Sequence, residues 1–323
     1  MSPRVSVVMP AYQAERSIGA AVASVLWQSY KDVELIVVDD GSTDATGAIA
    51  AAHGAPVKVV RQGNRGVAAA RNSGIVEATG ELIAFCDADD LLFERHLEAL
   101  LAVWDRHGSG VATANSYWLF PGGIHPGRVR YKGGNFPPLG RQRLAILENN
   151  FVSTMSLFPR RLVDELGPFD EQRRWAEDWD FWLRAIFAGH RVALQPEPLA
   201  LYRWGSTGLS AEREEMDVHI ESMLRAVEAR PDLTPEERSY LRRRLAGPGP
   251  RRLARAADEA LRAGRYREAE RSYREAAALC PSDPRLVWKA RSMRLAPAIL
   301  GPLVRARQVR IERRVGFEEG HVR

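Results

Sequence analysis

Asp87 and Asp89, one residue apart in Asp87-Ala88-Asp89-Asp90, are spaced to hold a hard cation. If the chain stays extended there, both carboxylates project the same way. Mg²⁺ or Mn²⁺ takes one or two carboxylates and completes its shell with phosphate oxygens and water. Asp39-Asp40 is a second acidic pair, suited to accept hydrogen bonds from a nucleobase N–H or ribose hydroxyls. Pro10-Ala11-Tyr12 offers a rigid turn with an aromatic ring to lie beside a base. Gly63-Asn64-Arg65-Gly66 leads into a helical stretch whose free N–H groups, together with Arg71, could face phosphate. Taken alone, three acids after an apolar run fit a solvated turn capping the next helix equally well.

Each of these clusters follows an apolar run: residues 5–9, 33–38, 57–60 and 82–86. Helix-like stretches separate the runs. Residues 15–28 carry Ile18, Val22, Val25 and Leu26 at spacings of three and four, Asp44 can cap an Ala-rich helix from about Ala45, and 67–78 is a third helix. The order β-α-β-α-β-α-β predicts an α/β fold, a mostly parallel central sheet flanked by helices. Ligands of such sheets sit outside the carboxyl ends of the strands, where the polar clusters fall. Farther on, the pattern predicts helices over 94–107, 141–149, 160–166, 177–188 and 211–229. Short strands are expected over 111–115, 154–158, 192–194 and 199–202. Residues 121–138, rich in Gly and Pro, read as a flexible loop over the site.

The bulk numbers narrow the class. The chain has 323 residues, 45% hydrophobic and 27% charged, and no apolar run near the roughly 18–20 residues needed to span a bilayer. A strand starting at Val5 leaves no room for a signal peptide, and two distant cysteines, Cys86 and Cys280, make no disulfide framework. The expectation is a cytoplasmic protein. Its net charge of +5 is uneven: from Arg285 onward ten basic residues face three acidic ones, so residues 1–284 carry about −2.

No G-x-G-x-x-G follows the first strand and no phosphate-loop Lys motif occurs, which excludes the commoner nucleotide folds. The chain instead resembles a family 2 glycosyltransferase of the GT-A (nucleotide-diphospho-sugar transferase) fold. The stretches VSVVMPAYQAERSI, VELIVVDDGSTDAT, GNRGVAAARNSGIVEATGELIAFCDADD and AEDWDFWLR carry the resemblance over roughly residues 4–210. It implies a nucleotide-diphosphate-sugar donor, a divalent cation (Mn²⁺ or Mg²⁺) and inversion at the anomeric carbon, with a saccharide or lipid-linked saccharide as acceptor. By the same resemblance Pro10, Ala11, Tyr12 and Glu15 form the first donor-binding segment. Asp40, beside Asp39, matches the residue that reads uracil. Asn64, Gly66 and Arg71 correspond to a segment near base and phosphates. Asp87, Ala88 and Asp89 match the D-x-D, with Asp89 and Asp87 as metal ligands. Asp178, next to Glu177, matches the general base, and Arg203 falls in the segment that closes over the diphosphate. Where many relatives carry His two positions after that Arg, this chain has Gly205; Ser206, Thr207 or Ser210 could meet phosphate instead. Glu177 either orients its neighbour or caps a helix. Trp175 is the candidate for the acceptor pocket, while Trp179 and Trp182 are expected in the core and His190 at the surface.

The expected division is a glycosyltransferase domain over 1–230, a helix with a Gly/Pro linker over 231–250, and a helical extension over 251–323. Within the extension, Ala257, Ala260, Gly264, Tyr266, Ala269, Tyr273, Ala276 and Pro281 match one tetratricopeptide-like hairpin. A generic helical hairpin explains them as well. The basic tail reads as a solvated face or as a peripheral contact to an anionic membrane or a protein, residues 295–309 mixing apolar and basic side chains. Nucleic acid is not expected as a partner, since no recognition motif accompanies the charge. Against a transferase stand an inactive nucleotide-sugar-binding scaffold and a nucleotidyltransferase. Retention of Asp87, Asp89 and Asp178 argues against the first, and the lack of a Gly-rich basic segment after the first strand argues against the second.

Overall fold

The computed structural model describes residues 4–108, 110–120, 123–132, 134–204 and 213–295, with Ala306 apart. Gly205, Ser206, Thr207 and Ser210 lie outside the described residues, as does the basic tail beyond 295 apart from Ala306. The described residues divide into two compact units. The first runs to Leu119 and continues over Ile124–Ile146 and Asn150–Trp204; the second holds Phe120, Gly123, Leu147–Asn149 and the residues after 204.

The first unit opens with the alternation that the apolar runs predict. It comprises β1 (Val5–Ala11), α1 (Ile18–Leu26), β2 (Val33–Asp40), α2 (Thr46–Ala51), β3 (Val57–Gln62), α3 (Val67–Glu77) and β4 (Leu82–Phe85). Then follow β5 (Leu91–Leu92), α4 (His96–Arg106), β6 (Val111–Phe120), β7 (Gly123–Val129), α5 (Gln142–Glu148), β8 (Ser156–Pro159), α6 (Arg161–Leu166), α7 (Glu177–Phe187) and β9 (Val192–Arg203). The sheet order is β3-β2-β1-β4-β8-β6-β9-β5, with β7 on β6. β1, β2, β3 and β4 pair in parallel, as do β6 and β9, whereas β8 is antiparallel to both β4 and β6. Strands covered on both faces need apolar residues at every position, and β1 is buried along its whole length. Val5, Val7 and Met9 meet Ile18, Val22 and Leu97 in one core cluster. Val8 points oppositely, onto Gly74 of α3, where an added Cβ would lie 2.3 Å from Val8 Cγ1.

Three local readings change. Residues 123–129 are not loop but β7, because an edge strand bonds on one side only and tolerates Gly and Pro. The two short strands over 192–202 are one strand, β9, whose register shifts between Gln195 and Pro198 and so absorbs two prolines. Pro10 and Ala11 are no turn but the end of β1, paired with Val38 and Asp39. Pro10 is admissible there because β4 ends at Phe85, opposite Val8, so no ladder bond on that side is lost.

In the second unit, α8 (Arg213–Glu228), α9 (Pro235–Leu245), α10 (Pro250–Arg262), α11 (Tyr266–Leu279) and α12 (Pro284–Leu295) follow in turn. Thr234 and Glu237 close a capping box at the start of α9. Ala257, Ala260, Ala269, Tyr273 and Met293 make a fully buried cluster, small residues letting α10 and α11 approach around the Tyr273 ring. Among the described residues, no helix is long and apolar enough to cross a membrane.

Candidate active site

Parallel pairing brings the carboxyl ends of β1 to β4 to one edge of the sheet. At the end of β1 the chain turns at Tyr12, half exposed, and Gln13, whose φ of 50° is left-handed. Gln13 Oε1 accepts from Thr43 N at 2.8 Å, and its own N–H donates to Ser42 Oγ at 3.1 Å. Glu15, exposed, laces the same two loops: its N–H donates to Asp44 Oδ2 and its carboxylate accepts from Ala45 N.

Asp39 and Asp40, at the end of β2, are both buried. Asp39 Oδ1 accepts from Ser42 N at 2.9 Å. Asp40 Oδ1 accepts from Gln62 Nε2 (2.8 Å) and Arg65 N (2.9 Å), and Oδ2 from Gly66 N (2.8 Å). Asp40 thereby shapes the 63–66 loop while Oδ2 keeps acceptor capacity. Asn64 is exposed in that loop, and Gly66 has a φ of 91° at the entry to α3. Gly41 has room for no side chain: its φ is +78° and a Cβ would sit 2.7 Å from Asn64 N.

The acidic turn after β4 is built around Arg71, a buried residue of α3. Arg71 Nη2 donates to Asp87 Oδ1 at 3.1 Å and Nη1 to Glu177 Oε1 at 2.6 Å. Burial alone would lower its pKa; Asp87, Glu177 and Asp178 outweigh that and hold the guanidinium above its ordinary value. Ala88 is buried and Asp89 exposed. The surrounding protein withholds water from the Asp89 carboxyl and Asp87 repels its charge, which pushes it up to about 6. Asp90 is fully buried; burial first, then Asp87 and Asp89, raise it well above the carboxylate range. Its Oδ1 accepts from Arg203 N at 2.8 Å, and Arg203 Nε donates to the Asp89 carbonyl at 2.8 Å, so the end of β9 closes against the turn.

Glu177 and Asp178 open α7, preceded by Ala176 at φ 60°, a left-handed conformation unusual for a residue with a Cβ. Burial, above all, and the neighbouring Asp178 push Glu177 up to about 7 against the pull of Arg71. Asp178, half-buried, accepts from Asn150 Nδ2 through Oδ2 at 2.9 Å and from Trp179 N through Oδ1 at 2.8 Å. Trp175 is half-buried beneath the Arg174 guanidinium, 4.9 Å from its ring. Trp179 and Trp182 lie in the core, and His190 pairs with Glu165 at the surface.

Two carboxylates of one turn, one of them pushed up by burial and by the charge of the other, suit an oxygen-seeking divalent cation. Among the described residues no group of three acidic, His or Cys side chains could hold a metal. Asp89 and Asp87 alone would leave most of a cation's coordination shell to phosphate oxygens and water. The structure adds Gln13, Gln62, Asp90 and Asn150 to the candidates read from sequence. Asn150 carried no signal, being one of two adjacent amides and 28 residues from the carboxylate it contacts.

A mixed sheet whose parallel half carries this acidic carboxyl edge has the architecture of the GT-A class. The chain belongs to glycosyl transferase family 2, whose family model matches residues 6–167. It is 30% identical over 241 residues to EpsJ, an uncharacterized glycosyltransferase of Bacillus subtilis, covering 70% of this chain and 69% of that one. It is 44% identical over 202 residues to EpsE of the same strain, covering 58% and 69%. Among solved structures, S. aureus TarS 1–349 in complex with UDP-GlcNAc superposes with a TM-score of 0.62 at 20% identity, over 90% of each chain. The mannosyltransferase PcManGT of Pyrobaculum calidifontis, in complex with GDP-Man and Mn²⁺, gives 0.57 at 21% identity, over 95% of this chain and 88% of that one.

Proposed function

We propose that this glycosyltransferase moves a sugar from a UDP-sugar to a hydroxyl of a saccharide or lipid-linked saccharide, with inversion and with Asp178 as general base. One observation carries the reading: through Arg71, the turn bearing Asp87 and Asp89 and the pair Glu177-Asp178 bind the same guanidinium, at 3.1 and 2.6 Å. A donor diphosphate at the acidic turn thus has a carboxylate base beside it. Asp178 takes the proton of the acceptor hydroxyl as that oxygen bonds to the anomeric carbon and the bond to the diphosphate breaks. Both of its oxygens already accept one hydrogen bond each, which fixes the carboxylate plane and leaves a lone pair for that proton. Asp89 and Asp87 would hold a Mn²⁺ or Mg²⁺, which would supply charge neutralisation for the departing diphosphate. Asp39, Asp40, Tyr12, Asn64 and Gly66 form the nucleoside side of the site, with Pro10, Ala11 and Glu15 supporting it, and Arg203 faces the diphosphate. Trp175 borders the acceptor. UDP is favoured by Asp40, and the TarS neighbour holds UDP-GlcNAc.

Calorimetric titration of UDP, GDP and dTDP, each with and without Mn²⁺, into wild type and Asp89→Asn tests the donor site. Metal-dependent binding of UDP, weakened in the variant, is expected; tighter binding of GDP would reassign the base. Asp178→Asn should lower turnover of the matching nucleotide sugar by about 10²–10⁴-fold while UDP affinity stays within a few-fold. Turnover at the wild-type rate would remove Asp178 from its role. The basic C-terminus is the proposed contact to an anionic membrane. Co-sedimentation with phosphatidylserine vesicles, but not with phosphatidylcholine vesicles, is the expected outcome.

A further inference from the structure

Family resemblance groups Arg71 with the donor contacts, yet its side chain is only 3% exposed. Both Nη atoms are committed to carboxylates, Nη1 to Glu177 and Nη2 to Asp87. The rings of Phe85 and Phe169 flank the guanidinium, 5.3 and 5.8 Å from its carbon. Nε is buried and makes no hydrogen bond, so Nη1 and Nη2 alone set the aim of the fork. The two carboxylates belong to segments 90 residues apart, one in the turn after β4 and one at the first position of α7. Arg71 joins them.

We propose that Arg71 is a positioning residue. It sets the spacing between the turn that carries Asp87 and Asp89 and the α7 start that carries Asp178, and Glu177 is its anchor on the α7 side. The inference rests on the roles given above to Asp89 and Asp178, and it moves Arg71 from contacting the donor to aligning the groups that do. An arginine is required because a planar fork reaches two carboxylates at once, whereas a lysine offers one point charge. The α7 side needs such a tether. Ala176 is held left-handed immediately before Glu177, a conformation that persists only where neighbouring contacts over-determine it. Glu177 to Arg71 and Asp178 to Asn150 are the contacts that follow it.

Arg71→Lys, Glu177→Gln and Glu177→Ala test the proposal in the full chain, with three readouts. These are UDP affinity with Mn²⁺ by calorimetry, turnover of UDP-GlcNAc to UDP and free sugar, and hydrogen exchange of residues 86–92 and 174–182. Arg71→Lys should lower kcat by about 100-fold, the cost of misplacing reacting groups by roughly 1 Å, with UDP affinity within about threefold. Exchange should rise in both segments together. Glu177→Gln, which keeps an oxygen for Nη1, should retain more turnover than Glu177→Ala. A loss of UDP affinity in Arg71→Lys with kcat unchanged would overturn the proposal and make Arg71 a donor contact. Exchange rising uniformly along the chain, or in only one of the two segments, would also overturn it. Wild type that binds no UDP with Mn²⁺ would sink the donor-site reading instead, and the paired exchange response would still decide the role of Arg71.

Discussion

Asp178 owes its orientation to a neighbour that no motif announces. Asn150 Nδ2 donates to Oδ2 of Asp178, and a hydrogen bond to a charged group is worth about 1.5–3 kcal/mol. Asn150→Ala should therefore lower kcat by about tenfold or more with little change in KM, measured at saturating donor. An unchanged kcat would mean that the bond to Trp179 N suffices to aim the carboxylate. Asp40 shows the same division of labour on the donor side. Sequence marks it as a base reader, while the structure uses three of its acceptor sites to hold Gln62, Arg65 and Gly66. The candidate carboxylates were legible because chemistry selects their type and strand ends fix their place. The amides that hold them were not, because an Asn or Gln in a loop looks the same whether it meets water or a carboxylate.

Elements meet tightly enough for single atoms to matter. On helix propensity alone Gly74→Ala would stabilise α3 by about 1 kcal/mol. The added methyl would sit 2.3 Å from Val8 Cγ1 and 3.2 Å from Val38 Cγ2, on two buried strands that cannot give way. Overpacking of about 1–3 kcal/mol should win, and Gly74→Ala should lower Tm. At the start of α4, buried His96 places Nδ1 3.2 Å from the Leu199 carbonyl on β9, and burial lowers its pKa from 6.5 to about 4. The folded ring stays neutral while the unfolded one takes a proton below about 6.5. Stability should therefore fall as pH drops from about 6.5 to about 4, by on the order of 3 kcal/mol, and level off below. Urea unfolding across that range checks the slope, which should flatten in His96→Asn. Helices and buried strands were legible from period and apolar runs. β7 was not, because Gly and Pro signal a turn wherever strand pairing is unknown.

Across the whole molecule, charge and packing are unevenly distributed. The excess of basic residues gathers after Arg285, and the residues that make up the candidate site all belong to the first unit. The second unit has its own core around Tyr273, whose hydroxyl donates to Asp258, with Lys289 Nζ on the same carboxylate at 2.7 Å. Tyr273→Ala should cost about 3 kcal/mol or more by emptying that core. Faster hydrogen exchange in α10 and α11, with UDP affinity unchanged, is the expected result. A parallel loss of UDP affinity would show that the helical unit supports the donor site.

By itself the sequence determined the strand-helix alternation of the first ninety residues, the family and the acidic residues at the strand ends. Those depend on local periodicity and on residue chemistry, which are written along the chain. Tertiary structure alone decided that Arg71 faces inward to two carboxylates, that Asn150 meets Asp178, and that Asp90 closes on Arg203. Each of these joins segments from 16 to more than 100 residues apart. Such pairs are selected by the packing of the sheet and its helices, and nothing in the neighbouring residues records them.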